Sequence, residues 1–293
     1  MRVELRLAVV IGVLLTLILG STYTSLEQLV SKVWLPETSD VLRIAHRGAS
    51  GYAPENTMAA FEQAYKMGAD MLELDVQLSN DGQVVVFHDT RLNRTSSGRG
   101  TVQNMTLHQL RQLDAGSWYN SRFRGQKIPT LDDILQYFGG KIPLLIELKS
   151  STQNSGIEQK TAEIIQKYNQ ELSLNLQNQI IIQSFNITSL RLFHELLPEV
   201  PLAVLTSNSY ELRDERLYEL ARFAQVLSIS RPLVTEEKVQ RVHDAGMKVF
   251  VWNVRHLFDI PSLLHAKVDG IITDYPDMLP TRQGESTAKL EDD

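Results

Sequence analysis

Glu73 and Asp75 stand two residues apart in the apolar run MLELDVQL, residues 71–78. Side chains alternate faces along a strand, so both carboxylates point the same way. Met71, Leu72, Leu74 and Val76 flank them on both faces, which marks the strand as buried. Two buried carboxylates need a cationic partner. Asp81-Gly82 then gives a hairpin turn signal before a second β-rich run, 83–87. A two-residue turn pairs Asn80 with Gln83 and Asp75 with His88, which adds an imidazole to the patch.

Other unusual polar residues fall at the ends of apolar runs. His46 and Arg47 end the first run; Glu147 and Lys149 lie in PLLIELKS, Gln183 and Ser184 in IIIQSF, Trp252 in VFVWNV and Asp274 in DGIITD. Asp274 is set apart from the core set because its run lies so far along the chain. Three carboxylates, Glu73, Asp75 and Glu147, favour a hard divalent cation with oxygen ligands: Mg²⁺, Ca²⁺ or Mn²⁺ before Zn²⁺. Arg47 and Lys149 are the groups that hold a phosphate. His46 and His88 can work as an acid and base pair near neutral pH. Together these groups point to phosphodiester cleavage, with charge stabilised as it develops on phosphorus.

The elements that must position these groups follow an α/β rhythm. Strand-like runs occur at 41–46, 71–77, 84–88, 143–148, 179–184, 201–205, 225–229, 248–253 and 269–273. Helical patterns occupy 56–68, 131–138, 157–171, 188–196, 211–223, 235–245 and 256–264. With 84–88 returning antiparallel, eight parallel strands remain, the number for a (β/α)8 TIM barrel. The active site of such a barrel forms at the C-terminal strand ends, where the polar residues cluster. A doubly wound sheet is the alternative, but no G-x-G-x-x-G follows a strand. Residues 90–130 break the rhythm with an insertion holding one short helix, 106–114, capped by Thr106. An insertion of that length reads as a lid or binding loop.

Arg2 and Arg6 precede the apolar run LAVVIGVLLTLIL at 7–19, and no charge appears until Glu27. Residues 1–26 therefore read as a membrane anchor or signal segment, with 27–40 as a linker. The positive-inside bias places the catalytic domain, 41–280, outside the cytoplasm, membrane-anchored or, after cleavage, secreted. Residues 281–293 form a polar tail expected to be disordered. A net charge of −6 argues against a nucleic-acid partner. The absence of cysteine excludes disulfides, Cys-ligated zinc and thiol catalysis. His194-Glu195 begins an H-E-x-x-H that Pro198 interrupts, and no P-loop is present.

The segments IAHRGASGYAPENTMAAFEQAYKMGAD, MLELDVQLSNDGQVVVFHD, IPTLDDIL, LLIELK, IIQSF, VFVWNV and DGIITDYPD span about residues 43–277. In content and order the chain resembles the glycerophosphodiester phosphodiesterases. The resemblance implies a TIM barrel with an insertion after the H-D motif, and hydrolysis of glycerophosphodiesters to sn-glycerol 3-phosphate and an alcohol. It implies metal binding by Glu73, Asp75 and Glu147, acid and base roles for His46 and His88, and phosphate contacts from Arg47 and Lys149. Glu55, in the P-E-N-T segment, is expected to bind metal or substrate, and Trp252 to contact substrate. The family often carries Asn where this chain has Arg255, which alters a substrate contact there. Two other functions compete: a lysophospholipase D acting on membrane lysophospholipids, and a barrel that binds phosphodiester head groups without turning them over.

Overall fold

The computed structural model describes residues 41–149, 155–171, 176 and 179–279. The expected anchor or signal segment, the linker and the polar tail lie outside the described residues. Among the described residues, no helix is long and apolar enough to cross a membrane.

Among the described residues, nine strands form one sheet: β1 (Leu42–Ala45), β2 (Met71–Leu78), β3 (Val84–Val86), β4 (Leu144–Leu148), β5 (Ile180–Ser184), β6 (Leu202–Thr206), β7 (Val226–Ser230), β8 (Lys248–Val254) and β9 (Gly270–Thr273). Their order is β1-β9-β8-β7-β6-β5-β4-β2-β3, and a parallel β1–β2 pairing closes the circle. Eight parallel strands thus make a closed TIM-like barrel, and β3 is the extra antiparallel strand. Leu72 pairs with Ala45 of β1 and Leu144 of β4, whereas Val76 pairs with Val86 of β3 and Leu148 of β4. One edge of β2 is therefore shared, by β1 low in the barrel and by β3 at its mouth.

The hairpin register differs by one residue from the two-residue turn expected. Val76 faces Val86 and Leu78 faces Val84, so Asp75 lies opposite Phe87 and not His88. Three residues make the loop, closed by Ser79 N donating to Gln83 O at 2.9 Å. The Ser79 hydroxyl donates to Asp81 at 2.6 Å and accepts from Gln83 N at 2.9 Å. Gly82, at φ +72°, takes the left-handed position this wider loop requires. His88 lies two residues beyond the end of β3, and the bend there returns it to the site.

Register also sorts the core. Leu72, Leu74, Ile146, Ile182, Val204, Leu227, Val249 and Ile271 point outward and are buried among apolar helix residues. The opposite positions fill the barrel. Low in it sit Met71, Leu145, Ile181, Ala203, Phe250 and Ile272, all buried. A Cβ at Gly270 would come within 2.6 Å of the Phe250 ring, so glycine there makes room for that ring. The helix Met58–Lys66 starts at Thr57, whose side chain accepts from Ala60 N. The pattern at 211–223 resolves into two pieces, a 3-10 turn at Ser209–Leu212 and a helix at Asp214–Leu220. The pattern at 256–264 likewise divides into Leu257–Asp259 and Ile260–His265.

The insertion has a small core of its own: Val85, Phe87, Leu92, Val102, Leu110, Ala115 and Ile128. Its helix is shorter than expected, Leu107–Leu110, with the capping box at Thr106 and Gln109. Tyr119 Oη donates to Gly51 O at 2.6 Å and Arg122 to Tyr52 O at 3.0 Å, tying the insertion to the loop after β1.

Candidate active site

Asp75, Glu147 and Gln183 sit abreast on β2, β4 and β5, in direct register. Strands in register point matched residues to the same face, here the barrel interior. Glu73 lies two residues lower on that face. Glu73, Asp75 and Glu147 each offer an oxygen, and these three atoms lie within 4.8 Å of one another. All three side chains are buried.

Their electrostatics express crowding. Burial, then repulsion from Asp75 and Glu147, pushes Glu73 well above the usual carboxylate range. Burial also pushes Glu147 up to about 7, against the pull of Lys149. Burial opposes ionisation of Asp75 too, but Lys149, Arg47 and His88 hold it below the usual range. Lys149 Nζ lies 2.6 Å from Glu147 Oε1 and 2.9 Å from Asp75 Oδ1. Neutral neighbours orient the oxygens. Gln183 Nε2 donates to Glu73 Oε1 at 3.1 Å, and Asn56 Nδ2 to Asp75 Oδ2 at 2.7 Å. Three converging oxygens with excess negative charge and braced orientation fit a hard divalent cation.

Arg47 closes one side of the cluster. It adopts φ +56°, a left-handed conformation disfavoured by about 1 kcal/mol or more for a residue with a Cβ. That turn aims its N–H at Glu73 Oε2, 2.9 Å away. Its guanidinium reaches Glu55 at 2.6 Å and Asp75 at 3.2 Å. Gly48 follows at φ +78°, where a Cβ would meet the Ala60 carbonyl at 2.5–2.7 Å.

Each histidine is backed by an aspartate on the same ring nitrogen. His46 Nδ1 lies 2.6 Å from Asp274 Oδ1 and His88 Nδ1 2.6 Å from Asp89 Oδ1. A Nδ1–H held in this way leaves Nε2 as the atom for proton transfer. Burial lowers both imidazoles from their ordinary value, more strongly than the aspartates raise them. Asp274 is held in turn by Ser50 at 3.0 Å, Asn253 at 3.3 Å and Arg255 at 2.6 Å. Asn253 reaches it from a register shift in β8 between Val251 and Val254.

The site residues expected from the sequence therefore meet at the barrel mouth, with one difference of placement. Glu55 is not among the three clustered carboxylates; it lies between Arg47 and Arg94. Trp252 directs its indole N–H to Ser228 O at 3.0 Å and packs edge-on against Phe185. Asp89 and Asp274, which the sequence reading left out, support both histidines. Asp89 directly follows His88, and Asp274 ends its own strand, so both carried a visible signal.

A cleft of about 630 Å³ opens beside His88, Glu147 and Lys149, walled by Gln77, Phe185 and Thr188. A second groove of similar size, bounded by Arg111, Lys127 and Tyr137, lies away from the clustered carboxylates and histidines.

A model of the Glycerophosphoryl diester phosphodiesterase family matches residues 46–278. The chain is 39% identical over 243 residues to a glycerophosphodiester phosphodiesterase of Caldanaerobacter subterraneus subsp. tengcongensis, a match covering 81% of this chain and 96% of that one. A glycerophosphodiester phosphodiesterase of Bacillus subtilis is 36% identical over 248 residues, covering 81% and 85%. Among solved structures, an Oleispira antarctica phosphodiesterase in complex with the product sn-glycerol-3-phosphate superposes with a TM-score of 0.70 at 31% identity, covering 80% of this chain and 93% of that one. A glycerophosphodiester phosphodiesterase of Agrobacterium tumefaciens gives a TM-score of 0.69 at 27% identity, covering 82% and 98%.

Proposed function

The chain belongs to the glycerophosphodiester phosphodiesterase family, and from that premise we propose how its site works. It hydrolyses glycerophosphodiesters to sn-glycerol 3-phosphate and an alcohol. The observation that carries the mechanism is the buried carboxylate trio beside two imidazoles, each with its Nδ1 held by an aspartate.

Glu73, Asp75 and Glu147 would hold a divalent cation. Oxygen-only ligation favours Mg²⁺ or Ca²⁺, with Mn²⁺ third. Its charge would offset the negative charge that builds on the phosphoryl oxygens. Lys149 Nζ and the Arg47 guanidinium flank the carboxylates, where they would contact the phosphate. The glycerol 2-hydroxyl attacks phosphorus. One histidine Nε2 takes its proton, and the other protonates the departing alcohol oxygen as the P–O bond breaks. Water opens the resulting cyclic phosphate with the two roles exchanged. Trp252 and Phe185 wall the mouth against the organic part of the substrate.

The first experiment is release of sn-glycerol 3-phosphate from glycerophosphocholine by the full chain, with Mg²⁺, Ca²⁺ or Mn²⁺. Metal-dependent release that EDTA abolishes is expected. Binding without release, from folded protein with every metal, would overturn the reading in favour of a non-catalytic barrel.

One observation favours a second substrate. Leu257 and Phe258, in the loop after β8, are 66% and 76% exposed. Apolar side chains at the mouth suit a lysophospholipid presented at a bilayer, hence lysophospholipase D activity. Faster turnover of lysophosphatidylcholine vesicles than of glycerophosphocholine supports it. The uncharged stretch before Glu27 supports membrane anchoring with the barrel outside the cytoplasm. Protease accessibility of the barrel in intact cells tests that placement.

A further inference from the structure

Glu55 and Arg94 are neither clustered carboxylates nor proton-transfer groups, yet both are fully engaged beside them. Arg94 belongs to the insertion. Its Nε and Nη2 donate to Asp89 Oδ2 and Oδ1 at 2.7 and 2.8 Å. Its Nη1 and Nη2 donate to Glu55 Oε2 and Oε1 at 2.7 and 2.8 Å. Glu55 Oε1 also accepts from Arg47 Nη1 at 2.6 Å. A continuous chain of charged contacts therefore runs from His88 through Asp89, Arg94 and Glu55 to Arg47.

We infer that Arg94 and Glu55 are a positioning pair: Arg94 sets the orientation of His88 through Asp89, and Glu55 locks Arg94 and Arg47 to a common frame. The inference rests on the function proposed above. An ordinary exposed ion pair contributes little. This one differs in geometry, because one guanidinium grips two carboxylates by two donors each, and such paired contacts fix planes as well as distances. Glu55 and Arg47 are only 12% and 14% exposed in their side chains, so that end of the chain of contacts is shielded from water, while Arg94 stays 45% exposed. Among the described residues, the side chains that hydrogen-bond the Asp89 carboxylate are those of His88 and Arg94. Without Arg94 its plane is free to turn, and with it the imidazole. The other histidine shows the same device built elsewhere: Arg255, from the loop after β8, grips Asp274 behind His46. Each histidine thus has its own aspartate and its own arginine. The insertion is then part of the catalytic apparatus, since it delivers one of those arginines.

The test compares variants of the full chain on glycerophosphocholine at saturating metal. Arg94→Ala is expected to lower kcat roughly 10- to 100-fold, the scale of lost support behind a site residue, with KM changed less than about threefold. Added guanidinium ion should restore part of the rate, and Arg94→Lys should retain more than Arg94→Ala. Combined with Asp89→Asn, Arg94→Ala should add little, because both act through one imidazole. Glu55→Gln should lower kcat and raise KM together, since it also loosens Arg47. Arg111→Gln is the control: it removes another ion pair of the insertion, to Asp133 at 2.7 Å, and should leave kcat unchanged. An Arg94→Ala loss no larger than the control's, confined to KM, or additive with Asp89→Asn overturns the inference. A readout without turnover separates this from failure of the proposed function. The His88 Nδ1–H resonance, assigned with His88→Ala, should stay sharp in wild type and broaden or vanish in Arg94→Ala. Persistence of that resonance in Arg94→Ala would overturn the inference even if no substrate were cleaved.

Discussion

At the residue scale, the mechanism proposed here gives proton transfer to the histidines and cation binding to the carboxylates. His46→Ala and His88→Ala should each lower kcat by about 10²- to 10⁴-fold, the usual weight of a positioned acid or base, while calorimetric metal affinity stays within a few-fold. Glu73→Ala should lose both. Metal loss in His46→Ala would mean that an imidazole ligates. A pH dependence follows from the carboxylates. Glu147, raised to about 7, and Glu73, raised well above the usual carboxylate range by burial and its acidic neighbours, both bind protons more readily than a free carboxylate in the metal-free site. Cation binding must displace them, so affinity rises with pH through about 7 and protons are released. Titration in two buffers of different ionisation enthalpy checks this; identical apparent enthalpies would refute it. The carboxylates and histidines were legible because each interrupts or ends an apolar run. Their supports were less so. Asp274 meets His46 across 228 positions, and no spacing rule links residues so far apart. Arg94 is one arginine in a polar insertion until the fold brings it to Asp89.

At the element scale, the strand runs and the antiparallel return of β3 were readable, because buried β-rich runs between polar turns have few other fates. The hairpin register was not. Asp-Gly favours a two-residue turn in isolation, but the side chains of Ser79 and Asp81 stabilise a loop one residue longer. The break between Leu212 and Asp214 was hidden because apolar spacing continues across it. Two buried features of the barrel carry stability predictions. Asp70 accepts from the Arg43 backbone at 2.8 Å and from its guanidinium at 3.1 Å, with both side chains nearly inaccessible. Asp70→Ala removes a buried carboxylate from a buried guanidinium and should destabilise the chain by about 3–5 kcal/mol. Gly270→Val drives a side chain into Phe250 and Ile44 and should cost about 1–3 kcal/mol by overpacking. Urea unfolding of each variant measures the change; a midpoint equal to wild type would contradict the packing described.

At the scale of the whole molecule, strand count and chain length pointed to a closed barrel, since eight parallel strands with both faces covered need no edge. The closure concentrates like charge at one end of its interior, so the folded chain is stabilised by whatever cation it binds. Saturation at about 100 times Kd should add about 2.7 kcal/mol, visible as a higher Tm that EDTA reverses. An unchanged Tm would argue against a cation in that trio. The difference between the two ends of β2 has a consequence in time. The Leu72 amide is bonded to Pro143 O within the closed ring, whereas the Ser79 and Phe87 amides are bonded only across the hairpin. Deuterium should therefore enter at Ser79 and Phe87 through local opening of β3, long before it reaches Leu72. The wall of the site beside His88 would then run on a faster clock than the barrel that carries it, and the mouth can yield to a bulky substrate while the carboxylate floor stays shut.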